Sequence, residues 1–153
     1  MALYLVQHGK SLPKDIDPEQ GISDTGRAEV ERIAAVAANY AVQIAGIAHS
    51  GKKRALQTAA IFAAAFDLED KVVERSGLKP LDDVVRLSAE LRSQNGLMLV
   101  GHLPFMEKLT SYLVTGNADK TIFKFQNGGI VCLEEDVAQN TWFIKWTLMP
   151  HID

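Results

Sequence analysis

Cysteine is nearly absent: the 153 residues contain one, Cys132, inside the apolar stretch GGIVCL. That count excludes a disulfide framework and a cysteine-rich metal site, and leaves the thiol as a small buried hydrophobe. An excess of positive charge is missing as well. Sixteen lysines and arginines stand against nineteen aspartates and glutamates, for a formal charge of −3 and a pI near 5.8. No chain-wide basic field exists to hold nucleic acid, and no polybasic tract marks a membrane surface, so any anion site must be local. Long hydrophobic runs are lacking too. The N-terminal run ALYLV is too short for a membrane span and carries no basic flank or cleavage-like site, so a cytoplasmic protein is expected. Neither an internal repeat nor a low-complexity tract divides the chain. What is abundant is apolar mass, 47% of residues, enough for one sizeable core and a single expected domain over residues 1–153.

Short apolar runs alternate with helical patterns. ALYLV, AVQIAGIA, KVVE and LMLVG read as strands, followed by GIVCLEE and WFIKWTL around the turn Asp136 to Asn140. KSLPKDIDPEQG, rich in proline and charge, reads as a surface loop. Ser23, Asp24 and Thr25 offer N-cap chemistry to a helix whose apolar face is Val30, Ile33, Ala34, Ala37 and Tyr40. Residues 53–66 place Leu56, Ala59, Phe62 or Ala63, and Phe66 at the same spacing. Residues 81–93 do so with Leu81, Val84, Ser88 and Leu91, and Pro104 suits the first turn of a helix carrying Phe105, Met106, Leu109 and Leu113. The alternation predicts an α/β protein, a three-layer αβα sandwich with a mostly parallel central sheet and an antiparallel C-terminal hairpin.

Ligands of open α/β sheets gather beyond the carboxyl ends of the parallel strands. His8, His49 and His102 all fall there. Three chemistries compete for them. Gly46 to Lys53 nearly matches a phosphate-binding loop, but Lys53 replaces the hydroxyl residue that should hold magnesium, and no strand ends in the expected second aspartate. Zinc held by the three imidazoles is a second reading, although nothing pairs them at a known ligand spacing. The third is phosphoryl transfer through histidine itself, which needs fixed positive charge and donors around the phosphoryl oxygens. Arg54, in the first helical turn after the second strand, is placed to supply both.

At this point the chain resembles the histidine phosphatase superfamily. His8-Gly9 follows the first strand, Ser50-Gly51-Lys52-Lys53-Arg54-Ala55-Leu56-Gln57-Thr58 follows the second, and Gly101-His102 follows a later one; Ile22-Ser23-Asp24-Thr25-Gly26 resembles the family's helix start. The short chain, with no room for a large inserted cap, is most similar to SixA-type protein phosphohistidine phosphatases. The resemblance implies a phosphoglycerate-mutase-like fold and a metal-independent phosphatase without cofactor. It makes His8 the nucleophile, with Arg54 and His102 binding the phosphoryl group. Gln7, Gly9, Lys10 and Ser50 would lie at the phosphate or its rim, with Gln57 and Thr58 as neighbours, and Asp83 or Asp82 would be the general acid if one is used. The implied partner is a phosphorylated histidine-phosphotransfer domain or another phosphohistidine protein. A small phosphorylated metabolite, or a weakly active module that only binds a phospho-ligand, are the alternatives.

Two departures from the family pattern stand out. Gly51 replaces a usual proline, a change expected to matter little. Gln7 replaces the arginine that binds phosphate, and an amide brings neither charge nor a guanidinium fork. Losing one charge-assisted contact costs about 1.5–3 kcal/mol. Lys10, Lys52 or Lys53 could restore part of that charge.

Overall fold

Leu3–Gln7 (β1) is buried along its whole length, as a strand covered on both faces must be. The computed structural model describes residues 1–153. After β1 come helix Asp24–Asn39 (α1), strand Gly46–His49 (β2), helix Lys53–Phe66 (α2) and strand Val72–Glu74 (β3). Helix Val84–Ser88 (α3), strand Leu97–Gly101 (β4), helix Phe105–Thr115 (α4) and the hairpin Ile130–Asp136 (β5) with Thr141–Leu148 (β6) complete the chain. The six strands order as β3-β2-β4-β1-β5-β6. β1 to β4 are mutually parallel, β5 lies antiparallel to β1, and β6 pairs antiparallel with β5.

The period of two divides the sheet's side chains between two cores. Tyr4, Val6, Ile47, Met98 and Val100 pack beneath α1 and α2. Leu3, Leu5, Ala48 and Leu99 pack with Val84 and Leu87 of α3 and with Phe105, Met106 and Leu109 of α4. This is the expected three-layer sandwich, with the hairpin extending the sheet beyond β1.

Four elements differ from the sequence expectation. The run AVQIAGIA is strand only over Gly46–His49, because Ala41 takes a φ of 56° and turns the chain out of α1. Tyr40 sits in that turn and is 81% exposed, so the apolar face of α1 ends at Ala37. Residues 81–93 do not form one long helix. Asp83 caps Val84–Ser88, Leu81 lies outside it in solvent, and Leu91 is buried from the turn that follows. A five-residue helix does not stand on propensity; burial of Val84 and Leu87 holds it. In α2 the buried face is Ala55, Thr58, Ala59, Phe62 and Ala63, which leaves Leu56 exposed.

One cluster of contacts fixes how the first loop leaves the sheet. Ser23 caps α1 by accepting from the Gly26 N–H at 3.0 Å, and both its N–H (2.8 Å) and its hydroxyl (3.1 Å) donate to the Lys10 carbonyl. Gly26 lies so close that a Cβ there would stand 2.3 Å from the Lys10 carbonyl oxygen. The ISDTG stretch is therefore a docking seat for the chain just after His8. Because backbone cannot give way cheaply, Gly26→Ala is expected to lower stability by about 3 kcal/mol, the upper end for overpacking. A urea midpoint within error of the parent protein would refute that seat.

Candidate active site

His8 follows the last residue of β1, and His102 follows β4, the strand beside it. The His8 N–H donates to the Gly101 carbonyl at 2.9 Å, which carries the ladder one step past the strand and brings the two imidazoles to a centroid distance of 5.0 Å. His8 is half-buried, while His102 is almost fully enclosed. Two further contacts steady the His8 backbone. The Gly9 N–H donates to Thr58 Oγ1 at 2.9 Å, and Asn127 Nδ2 donates to the His8 carbonyl at 2.9 Å.

The tautomer of His8 follows from its partners. Nδ1 lies 2.7 Å from the Gly9 carbonyl, which can only accept, so Nδ1 carries the proton. Nε2 then holds the lone pair. Arg54 Nε donates to it at 3.3 Å, so the guanidinium stands beside the nitrogen that would attack. Arg54 occupies the first turn of α2, whose N-cap, Lys52, makes no side-chain cap. An uncapped helix N-terminus offers free N–H groups and a partial positive charge to an anion. Ser50, buried at the end of β2, places Oγ 2.6 Å from His102 Nε2, and the Lys52 N–H reaches the same oxygen at 3.4 Å.

Burial pushes the His8 imidazole below its ordinary range; the Gly9 carbonyl opposes this shift and the Arg54 charge adds to it. Burial drives His102 down to about 3, helped by the charges of His8, Arg54 and Lys52. Both rings are neutral at neutral pH, so the His8 Nε2 lone pair is present without a base to remove a proton. The acid limb of kcat/KM, which reports the free enzyme, is expected below the ordinary imidazole value of about 6.5. An NMR titration placing His8 at or above that value would contradict the assignment. Stability carries the same signature. An unfolded chain takes up protons near pH 6.5 that these two folded imidazoles refuse, so stability falls as pH drops from about 6.5 towards 3.

The other expected site residues divide. Gln7 is nine-tenths buried, with Oε1 enclosed and unpaired. Gly9 is required by packing: a Cβ would come within 2.8 Å of Val30 Cγ2 in α1. Lys10 is exposed and lines a recess of about 510 Å³ with Thr25, Glu29 and Asn127. Lys53 is held by Asp17 at 2.8 Å and Glu19 at 3.8 Å, which ties the 10–21 loop to α2. His49 does not join the cluster; its Nδ1 accepts the Gly51 N–H at 3.1 Å, within the field of Glu74.

Asp83 accepts from the Val85 and Arg86 N–H groups, and Asp82 from the Lys79 N–H. Both line a polar cleft of about 670 Å³ that begins at Ser50, and neither hydrogen-bonds to His8, Arg54 or His102. Gly51 matters more than its sequence position implies. Its φ of 92° lies far from the φ near −65° that proline enforces, and the Glu74 carboxylate fills the space where a Cβ would stand. Asn127 gave no sequence signal beyond the turn-like Asn127-Gly128 pair. Thr58 was legible as a neighbour but not as the anchor of Gly9.

Among the side chains, no three His, Cys, Asp or Glu groups cluster as a metal site. No helix is long and apolar enough to cross a membrane. Residues 3–82 match the model of the histidine phosphatase superfamily (branch 1). The structure of the protein histidine phosphatase SixA complexed with tungstate is similar at a TM-score of 0.84, with 23% identity over 98% of this chain and 97% of that one. A protein assigned as the phosphohistidine phosphatase SixA of Agrobacterium tumefaciens gives a TM-score of 0.77 and 27% identity, covering 97% of both chains. A mycobacterial glucosyl-3-phosphoglycerate phosphatase gives 0.75 and 15% identity over 97% of this chain and 99% of its own. No curated protein matches by sequence.

Proposed function

The chain belongs to the histidine phosphatase superfamily, branch 1, and from that premise we propose that it removes the phosphoryl group from a protein phosphohistidine without a metal ion. The observation that carries the reading is His8 Nε2, whose lone pair faces the Arg54 guanidinium at 3.3 Å with a second neutral imidazole next to it.

In the first step Nε2 attacks phosphorus, the P–N bond of the substrate breaks, and its electron pair returns to the leaving imidazole. A phosphohistidine ring that already carries a proton on its other nitrogen leaves as neutral imidazole, so this substrate class makes no demand for a general acid. That agrees with Asp82 and Asp83 having their carboxylates engaged by backbone N–H groups. Arg54 and the N-terminus of α2 balance the charge on the equatorial oxygens. In the second step water attacks the phosphohistidine formed on His8, releasing inorganic phosphate and restoring the free ring.

The higher similarity to the structure of the protein histidine phosphatase SixA than to the glucosyl-3-phosphoglycerate phosphatase favours a protein substrate. A small phosphate ester is the second reading, favoured by the polar cleft beside Ser50, which is large enough for a metabolite. A phospho-ligand receptor with little turnover is the third, favoured by Gln7. The deciding measurement is dephosphorylation of phosphorylated histidine-phosphotransfer domains beside a panel of small phosphate esters, with and without exhaustive chelation. Turnover of the protein substrate that survives chelation is expected. Turnover of esters alone would move the substrate class to metabolites, and binding without turnover of either would leave the receptor.

A further inference from the structure

Gln7 leaves the site one positive charge short, and three lysines follow the two catalytic loops closely enough to replace it. Lys53 is already neutralised by Asp17 and Glu19. Lys10 projects from the surface on the side of Glu29. Lys52 differs from both. It is half-buried, and no carboxylate or hydrogen-bond acceptor engages its ammonium group. Its backbone N–H points at Ser50 Oγ, the same oxygen that meets His102 Nε2, so the residue starts from the inner wall of the site. The turn that delivers it depends on Gly51 at φ 92°, a conformation closed to the proline usual at this position.

We propose that Lys52 is a phosphate-binding residue of this site, its ammonium group contacting a phosphoryl oxygen and supplying the charge that Gln7 does not. The assignment rests on the phosphatase reading given above. Its electrostatic reach agrees with it: the charge of Lys52 acts on the buried His102 ring. An ammonium on a flexible stem is a point charge without the planar fork of arginine, so it restores attraction and leaves fine orientation to Arg54.

The test is a double-mutant cycle on Gln7→Arg and Lys52→Met, read by kcat/KM and by the affinity for orthovanadate, a phosphate mimic that reports binding whatever the natural substrate is. Lys52→Met is expected to lower both about ten- to a hundredfold. Lys52→Arg should retain most of each. Gln7→Arg should raise the activity of Lys52→Met several times more than it raises that of the parent, because only the variant lacks the charge. Additive effects, unchanged vanadate affinity in an otherwise active Lys52→Met protein, or a loss carried by Lys10→Met instead would each overturn the assignment while leaving the phosphatase intact. A parent protein that neither binds vanadate nor hydrolyses any phosphohistidine would overturn the underlying reading, and the role of Lys52 with it.

Discussion

Replacing His8 by alanine is expected to reduce turnover to background, a loss on the order of 10⁴-fold or more, as removal of a covalent nucleophile does in other enzymes. An acid-labile phosphoryl label on the parent protein should disappear from the variant at the same time. The two readouts separate a nucleophile from a residue that only binds. A binding residue would slow labelling and leave the label, once formed, on another group. Folding should survive, because the ring is half-buried and its Nδ1 partner is the adjacent Gly9 carbonyl, not a distant element. If His8→Ala retained label and turnover, the nucleophile would have to be sought in His102. That ring is enclosed, with Nε2 engaged by Ser50.

Arg54→Met carries the second-largest expectation. The side chain faces the His8 lone pair at 3.3 Å, and in the proposed reaction it balances charge on the phosphoryl oxygens, so its loss is expected to remove transition-state stabilisation. A decrease in kcat/KM of about 10²–10⁴ follows from losing roughly 3–5 kcal/mol, the scale reported for a partner removed from buried or oxyanion-binding charge. The pH profile should move with it. Arg54 contributes to the lowering of the His8 pKa, so its removal raises that value and shifts the acid limb of kcat/KM towards higher pH. Arg54→Lys keeps charge without the Nε–H, and should restore the limb more fully than the rate. An unchanged limb in Arg54→Met would show that the guanidinium does not act on His8.

Much of this arrangement was legible in the sequence because it depends on local pattern. Buried parallel strands such as Leu3–Gln7 and Leu97–Gly101 are short apolar runs, and topology then places whatever follows them on one edge. His8, Arg54 and His102 emerge from that rule and from the motifs around them. What the sequence hid depends on contacts between distant segments. Asn127 reaches the His8 carbonyl across 119 positions of chain. Nothing in Gln126-Asn127-Gly128 announces that contact. His49 ends a strand on the same edge, yet it turns to the Gly51 N–H and the field of Glu74 because β3 supplies a neighbour that periodicity cannot reveal. The expected helix over 81–93 failed for a related reason: Val84 and Leu91 are both buried, but from separate turns. Periodicity reports burial, not the continuity of the backbone that achieves it. Gly9 and Gly51 were visible as glycines, while their causes, Val30 on one side and Glu74 on the other, were not.

The segment after His8 has a further consequence. Its two ends are clamped together by the Leu12 N–H to the Gly21 carbonyl at 2.8 Å and by the Ser11–Ile22 bridge. Its middle is tied to α2 by Lys53–Asp17, and its far end by the Ile22 N–H to Gln57 Oε1 at 2.8 Å. A segment tied at so many points is a stiff rim. Under the proposed function, a protein substrate arriving at His8 would meet a surface already ordered, and little conformational entropy would be lost on docking. Specificity would then be written in the shape of a fixed edge. Changing the partner would then require reshaping the rim by several coordinated substitutions, whereas a floppy loop could adapt through one.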